Sequence, residues 1–170
     1  MIYADHAATT KISETAKLAM LSAMEKDWYN PSSLYTPGQQ ASGTLMDARV
    51  RIARCLGCLP KEIYFTSGGS EADNQAILSA AAIGKRQGKM HIISTAFEHH
   101  AVLHTLKKLE KEGFEITLLD VGEKGIVSPA QVEKAIRPDT ILVTVMYANN
   151  EIGTIQRIRE IGAVCRQNGV

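Results

Sequence analysis

Ser67-Gly68-Gly69-Ser70-Glu71 combines glycines and hydroxyls in a pattern suited to holding an anion. The stretch follows a strand-like run at 62–66 and opens a helix-like run at 71–87. The first N–H groups of a helix lack intrahelical partners, the helix dipole is positive there, and glycine admits close approach of a phosphate. Serine hydroxyls add donors. The same turn is also compatible with a purely structural role. Two further polar clusters, Glu98-His99-His100 and Asn149-Asn150-Glu151, follow later strand-like runs in the same way. An imidazole at His99 is suited to stacking on a flat ring, to proton transfer or to metal binding. It is equally suited to capping a helix or lying on the surface. Asn149 and Asn150 have turn chemistry, and Asn150 is also able to donate its amide to a ligand oxygen.

The elements that position these clusters are legible from periodicity and capping. Residues 2–4 read as a short strand. Ser13 is a helix cap for a segment running to about Lys26, with Ala16, Leu18, Ala19, Met20, Leu21 and Met24 available for burial. Asn30-Pro31-Ser32-Ser33 reads as a turn. Thr36-Pro37 reads as cap and first residue of a second helix that carries Leu45, Met46, Val50, Ile52, Ala53 and Leu56 and ends near Gly57. Strand candidates then fall at 62–66, 90–95, 114–119 and 140–146, alternating with helix candidates at 71–87, 100–112, 128–136 and 157–168. Gly113 reads as a helix C-terminal signal, and Ser128-Pro129-Ala130-Gln131 as a capping box. The alternation predicts an α/β fold with a largely parallel sheet covered by helices. Ligands in such sheets bind beyond the carboxyl ends of the strands, so the three polar clusters are expected to share one site.

Composition narrows the function classes. The 170 residues allow a substantial core, and 45% hydrophobic content excludes general disorder. With 19 basic and 18 acidic side chains the net charge is +1, which gives no reason to expect nucleic acid or an anionic membrane as partner. There is no membrane-length apolar run and no basic-then-apolar leading segment, so the cytoplasm is the expected compartment. Cys55, Cys58 and Cys165 do not make a disulfide framework. The C-x-x-C spacing of Cys55 and Cys58 suits half a zinc site or a redox pair, but no second ligand pair stands at a suitable distance. The favoured reading is two small, part-buried residues, and no metal site is expected. Lys85, Lys89, Lys107, Lys108, Lys111 and Lys134 read as solvated, and no lysine has a context that suggests a Schiff base.

Five motifs in register carry a family resemblance. Asp5-His6-Ala7-Ala8-Thr9-Thr10, Asn30-Pro31-Ser32-Ser33, Thr66 through Asn74, Glu98-His99-His100-Ala101-Val102-Leu103 and Asn149-Asn150-Glu151-Ile152-Gly153 occur in order. Together they resemble the NifS/IscS-type cysteine desulfurases of the class V aminotransferase group, which depend on pyridoxal 5'-phosphate. The resemblance implies the large domain of a fold type I pyridoxal-phosphate transferase. Residues 1–12 are then expected to belong with the family's small domain, and 13–170 to form the N-terminal part of the large domain. It implies removal of sulfur from L-cysteine to give L-alanine and an enzyme persulfide. The sulfur passes to iron–sulfur scaffold proteins or other acceptors, and the enzyme is a homodimer. By position, Gly69 and Ser70 would contact the cofactor phosphate. His99 would stack on the pyridine ring and take part in proton transfer, and Asn150 would hydrogen-bond the ring oxygen. His6 falls near the substrate where the family usually has Asn, and Tyr35 stands where His is common.

The resemblance further implies a seven-stranded sheet of order 3-2-4-5-6-7-1, of which these residues supply candidates for the first four strands. The aspartate that pairs with the pyridine nitrogen, the Ser-x-His-Lys lysine, the persulfide cysteine and the substrate-carboxylate arginine have no counterpart in residues 1–170. The fold is therefore expected to be incomplete, lacking C-terminal strands and small domain, and these residues alone to be inactive. If these residues fold alone, rearranged strand pairing or a partner on the open edge is expected. Rival readings are a selenocysteine lyase or another class V aminotransferase, a non-catalytic phosphate-binding subunit that needs a second chain, and an unrelated Rossmann-like phosphate binder.

Overall fold

The computed structural model describes residues 2–170, which form two compact units, the described part of 1–65 and 66–170. In the first unit, helix α1 spans Glu14–Lys26 and α2 spans Thr36–Leu56, followed by a 3₁₀ turn at Pro60–Glu62. Ser13 Oγ accepts from Ala16 N and caps α1, as its type predicts. Gly57 ends α2 in the left-handed conformation, with φ 68°. Asn30 makes the expected turn, its Oδ1 accepting from Ser32 N at 2.9 Å and its carbonyl from Ser33 N at 3.0 Å. This turn lies against Gly38, where a Cβ would come within 2.7 Å of Ser33 Cβ.

Several expectations for this unit are corrected. Residues 2–4 are not a strand. The cap of α2 is Tyr35, one residue before Thr36, and it makes no side-chain bond. No residue of α1 is buried, and in α2 only Gly38, Ala41 and Ala53 are. Leu18, Met20, Leu21, Met24, Leu45, Met46, Ile52 and Leu56 are exposed and Val50 half-buried, because a small unit without a sheet offers little surface to cover them. The 62–66 run is not a strand either. Pro60 starts the 3₁₀ turn, Glu62 Oε2 accepts from Leu59 N at 2.7 Å, and no strand among the described residues pairs with residues 63–66. Extended residues without a ladder partner do not make a strand.

The second unit is built as the alternation predicts. Its elements are α3 (Gly69–Arg86), β1 (His91–Thr95), α4 (His100–Lys111), β2 (Glu115–Leu119), α5 (Pro129–Ala135), β3 (Thr140–Val143) and α6 (Ile158–Gln167). The strands form one parallel sheet of order β2-β1-β3. These are the second, third and fourth strand candidates, and they stand in the 3-2-4 order that the resemblance implies. The pairing is therefore not rearranged: β2 and β3 flank β1 on opposite sides. Central β1 is buried along its whole length, as a strand covered on both faces must be. Its alternating side chains serve two cores. Ile92 packs with Ile77, Ala81, Val102, Leu106, Leu109 and Phe114, from α3, α4 and the turn after them. Ile93 packs with Leu119, Val127, Val132 and Ile161, which brings in α5 and α6. Gly84 lets α3 approach β3: a Cβ there would meet Lys89 O at 2.6 Å and Ile141 Cγ1 at 2.9 Å. Ser128 and Gln131 form the predicted capping box of α5.

Candidate functional site

The candidate residues stand on the N-termini of two helices and on the loop after β3. Gly69 and Ser70 are the first two residues of α3, behind an extended Gly68. The first amide of this turn to find a backbone acceptor is that of Ala72, bonded to Gly68 O at 3.1 Å, so the N–H groups of Gly69, Ser70 and Glu71 are free for a ligand. A Cβ at Gly68 or Gly69 would meet nothing within 4 Å, so the space before this turn is open. The Ser70 hydroxyl makes no bond among the described residues. Ser67 does not join it as a donor: its N–H (2.7 Å) and hydroxyl (2.6 Å) both donate to Glu71 Oε2. These bonds hold the Glu71 carboxyl below the usual carboxylate range. The expected serine pair is thus one serine, Ser70, because the partner hydroxyl fastens the turn.

His99 caps α4: its Nδ1 accepts from Ala101 N at 3.1 Å, which leaves the exposed ring and Nε2 available. The capping reading of this histidine holds, and the cap fixes the ring without covering it. His100 and His104 stack on the exposed face of the same helix, 5.6 Å between centroids. After β3, Asn149 takes the turn role expected of it. Asn149 is buried, and its Oδ1 accepts from Glu151 N (2.8 Å) and Ile152 N (3.0 Å) to make the turn. Asn150 is exposed, and its Nδ2 donates to Glu151 Oε1 at 2.8 Å.

No hydrogen bond joins Ser70, His99 and Asn150 to one another; their elements are joined one layer behind them. Thr105 of α4 donates its hydroxyl to Asn74 of α3, which sets the two helix starts side by side. Glu98, the residue before His99, is 6% exposed, and its Oε1 accepts from Thr95 Oγ1 at 2.6 Å and from Met146 N at 2.9 Å. Burial pushes the Glu98 carboxyl up against the opposing pull of these two bonds, and the Asp73 carboxylate of α3 pushes the same way. Asn149 Nδ2 reaches back to Phe97 O at 3.3 Å. Sequence reasoning picked out the Glu98 cluster for its histidine and missed the carboxylate's structural part. The available signal was an acid placed between a buried strand and a helix start, where an unpaired charge is costly.

His6 is exposed in the 1–65 unit, edge-on to Tyr3 at 5.2 Å. Cys58 and Cys165 are half-buried as free thiols, whereas Cys55 is exposed and not part-buried, because it lies on an uncovered side of α2. Among the described residues no three His, Cys, Asp or Glu side chains converge as a metal site would require. No helix among them is long and apolar enough to cross a membrane. The residues of the 66–170 unit fit a phosphorylated aromatic cofactor: unpaired amides with a hydroxyl for the anion, an uncovered imidazole for the ring and a carboxamide for a ring substituent.

The family description Aminotransferase class-V matches residues 2–170. The cysteine desulfurase IscS of Methanosarcina thermophila is 48% identical over 169 residues, covering 99% of this chain and 42% of that protein. A solved structure described as SspA in complex with cysteine superposes with a TM-score of 0.91 at 37% identity, covering 99% of this chain and 48% of its own. A NifS-like protein gives the same TM-score at 34% identity, with 96% and 45% covered. The chain thus spans less than half the length of these relatives. With the motifs, the strand order and the family match in agreement, this chain belongs to the class V aminotransferase family.

Proposed function

We propose that these residues are the N-terminal part of a cysteine desulfurase that binds pyridoxal 5'-phosphate through the 66–170 unit. The observation that carries the reading is the first turn of α3, where three unpaired amides and the Ser70 hydroxyl face open space. Gly69 and Ser70 bind the phosphate there, aided by the positive end of the helix. His99, its orientation fixed by the α4 cap, lies against the ring and holds or passes a proton at Nε2. Asn150 donates its amide to the ring oxygen, its NH2 group having a second hydrogen beside the one bonded to Glu151. When bound, the cofactor supplies the electron sink for chemistry at the amino acid's α-carbon. The reaction takes L-cysteine to L-alanine and leaves the sulfur as a persulfide on the enzyme for an iron–sulfur scaffold or another acceptor. In this reading the enzyme is a cytoplasmic homodimer, residues 1–12 belong with a small domain and 13–170 with the large domain. Names of relatives and the cysteine-bound solved structure support the substrate.

The test uses the full polypeptide that carries these residues. Pyridoxal 5'-phosphate is titrated by equilibrium dialysis, and alanine released from L-cysteine is measured by chromatography. Saturable binding with alanine formation is expected. Preference for nucleotides over pyridoxal 5'-phosphate overturns the reading and favours a Rossmann-like phosphate binder.

A further inference from the structure

We propose that Glu98 is a positioning residue, whose buried carboxylate braces the loop carrying His99 against the loop carrying Asn150. The inference rests on the cofactor reading of these two residues. Its physical basis is the double use of one oxygen. Glu98 Oε1 accepts from Thr95 Oγ1 at the end of β1 and from Met146 N just beyond β3. The ladder between these strands ends with Thr144 N bonded to Ile93 O at 2.9 Å, so past that point no backbone pairing holds the two chains in step. Glu98 replaces the missing ladder bond. A second tie runs in the opposite direction, from Asn149 Nδ2 to Phe97 O at 3.3 Å, and Asn149 Oδ1 in turn holds the amides of Glu151 and Ile152. His99 is one residue from the first tie, and Asn150 is one residue from the second. The side chains that make both ties are buried, Glu98 at 6% and Asn149 at 7% exposure, which limits the competition from water.

A carboxylate costs more to bury than an amide, yet a single acceptor oxygen makes both bonds. Glutamine at this position keeps that oxygen; alanine removes it. The experiment compares wild type, Glu98→Gln, Glu98→Ala and Thr95→Val in the full polypeptide. It reads amide hydrogen exchange of the cofactor-free protein and the pyridoxal 5'-phosphate dissociation constant. Glu98→Ala is expected to speed exchange across residues 146–152 while β2 stays protected, and to weaken cofactor binding by about tenfold or more. Glu98→Gln is expected to restore both. Thr95→Val, which keeps the shape of a buried residue and removes one of the two donors, is expected to fall between, and it decides the matter if Glu98→Ala fails to fold. Unchanged exchange at 146–152 in Glu98→Ala or Thr95→Val overturns the brace. Faster exchange with unchanged cofactor affinity overturns the positioning role. A wild type that binds no pyridoxal 5'-phosphate overturns the cofactor reading and the positioning role with it, and the exchange comparison then still reads the brace by itself.

Discussion

Ser67 and Ser70 are three residues apart and chemically alike, yet their surroundings give them different work. Ser67 is spent on Glu71 through both its amide and its hydroxyl. Ser70 stands on the first turn of α3 with its hydroxyl unengaged. A hydrogen bond to a charged acceptor contributes roughly 1.5–3 kcal/mol. Ser70→Ala is therefore expected to weaken pyridoxal 5'-phosphate binding by about tenfold or more, which equilibrium dialysis measures. Ser67→Ala is expected to change that affinity less than about twofold and to lower the urea midpoint slightly through the lost bond to Glu71. Equal losses of affinity in the two variants would contradict this division. The types and spacing of these serines are plain in the sequence. Which of them is free depends on where the Glu71 side chain folds back.

His91 shows how one side chain ties the sheet together at the end of the strands opposite the site. It opens β1, is fully buried, and bonds Thr140 Oγ1 of β3 at 2.7 Å through Nδ1 and Thr117 Oγ1 of β2 at 2.8 Å through Nε2. Thr140 Oγ1 also accepts from Arg137 N at 2.8 Å, which ties the turn before β3 to the same contact. Burial, followed by the positive charge of Arg137, lowers the His91 pKa, against the smaller opposing pull of Asp139 and Glu115. The unfolded chain thus binds the proton more readily than the folded one. Stability contributed here is complete above about pH 6.5, the ordinary histidine value, and falls as pH drops from there toward the lowered folded value. Urea unfolding of the full polypeptide between pH 5 and 8 is expected to show this slope, and His91→Gln to flatten it. An unchanged slope in the variant would assign the pH dependence to other groups. Sequence periodicity placed this strand within a residue. It did not reveal that a histidine at its start lies between two threonines, because that contact joins positions 26 and 49 residues apart.

At the scale of the molecule, the two units differ in what they bury. Both apolar clusters, around Ile92 and around Ile93, lie within 66–170 and are closed by helices on each face of the sheet. The 1–65 unit buries little of its helices and leaves Leu18, Met24, Trp28 and Leu56 exposed. Residues 66–170 expressed separately are therefore expected to unfold cooperatively in urea, monitored by far-ultraviolet circular dichroism. Residues 1–65 are expected to lose helicity gradually. A cooperative transition in 1–65, or none in 66–170, would show that the division of core between them is misread.

Local chemistry alone determined a great deal here. Ser13, Gly57, Gly113 and the Ser128–Gln131 box end or start helices where their types say they should, since a cap needs only its own few residues. The alternation after residue 66 specified a parallel sheet, and the ordered motifs specified the family. Tertiary structure decided what local chemistry leaves open. The 62–66 run is extended in type but not a strand, because a strand exists only with a partner. The apolar faces of α1 and α2 are exposed, because periodicity marks a face as fit for burial without supplying the surface that covers it. Glu98 became a brace only when the end of β3 came within reach of its carboxylate, a contact made across 48 residues of chain.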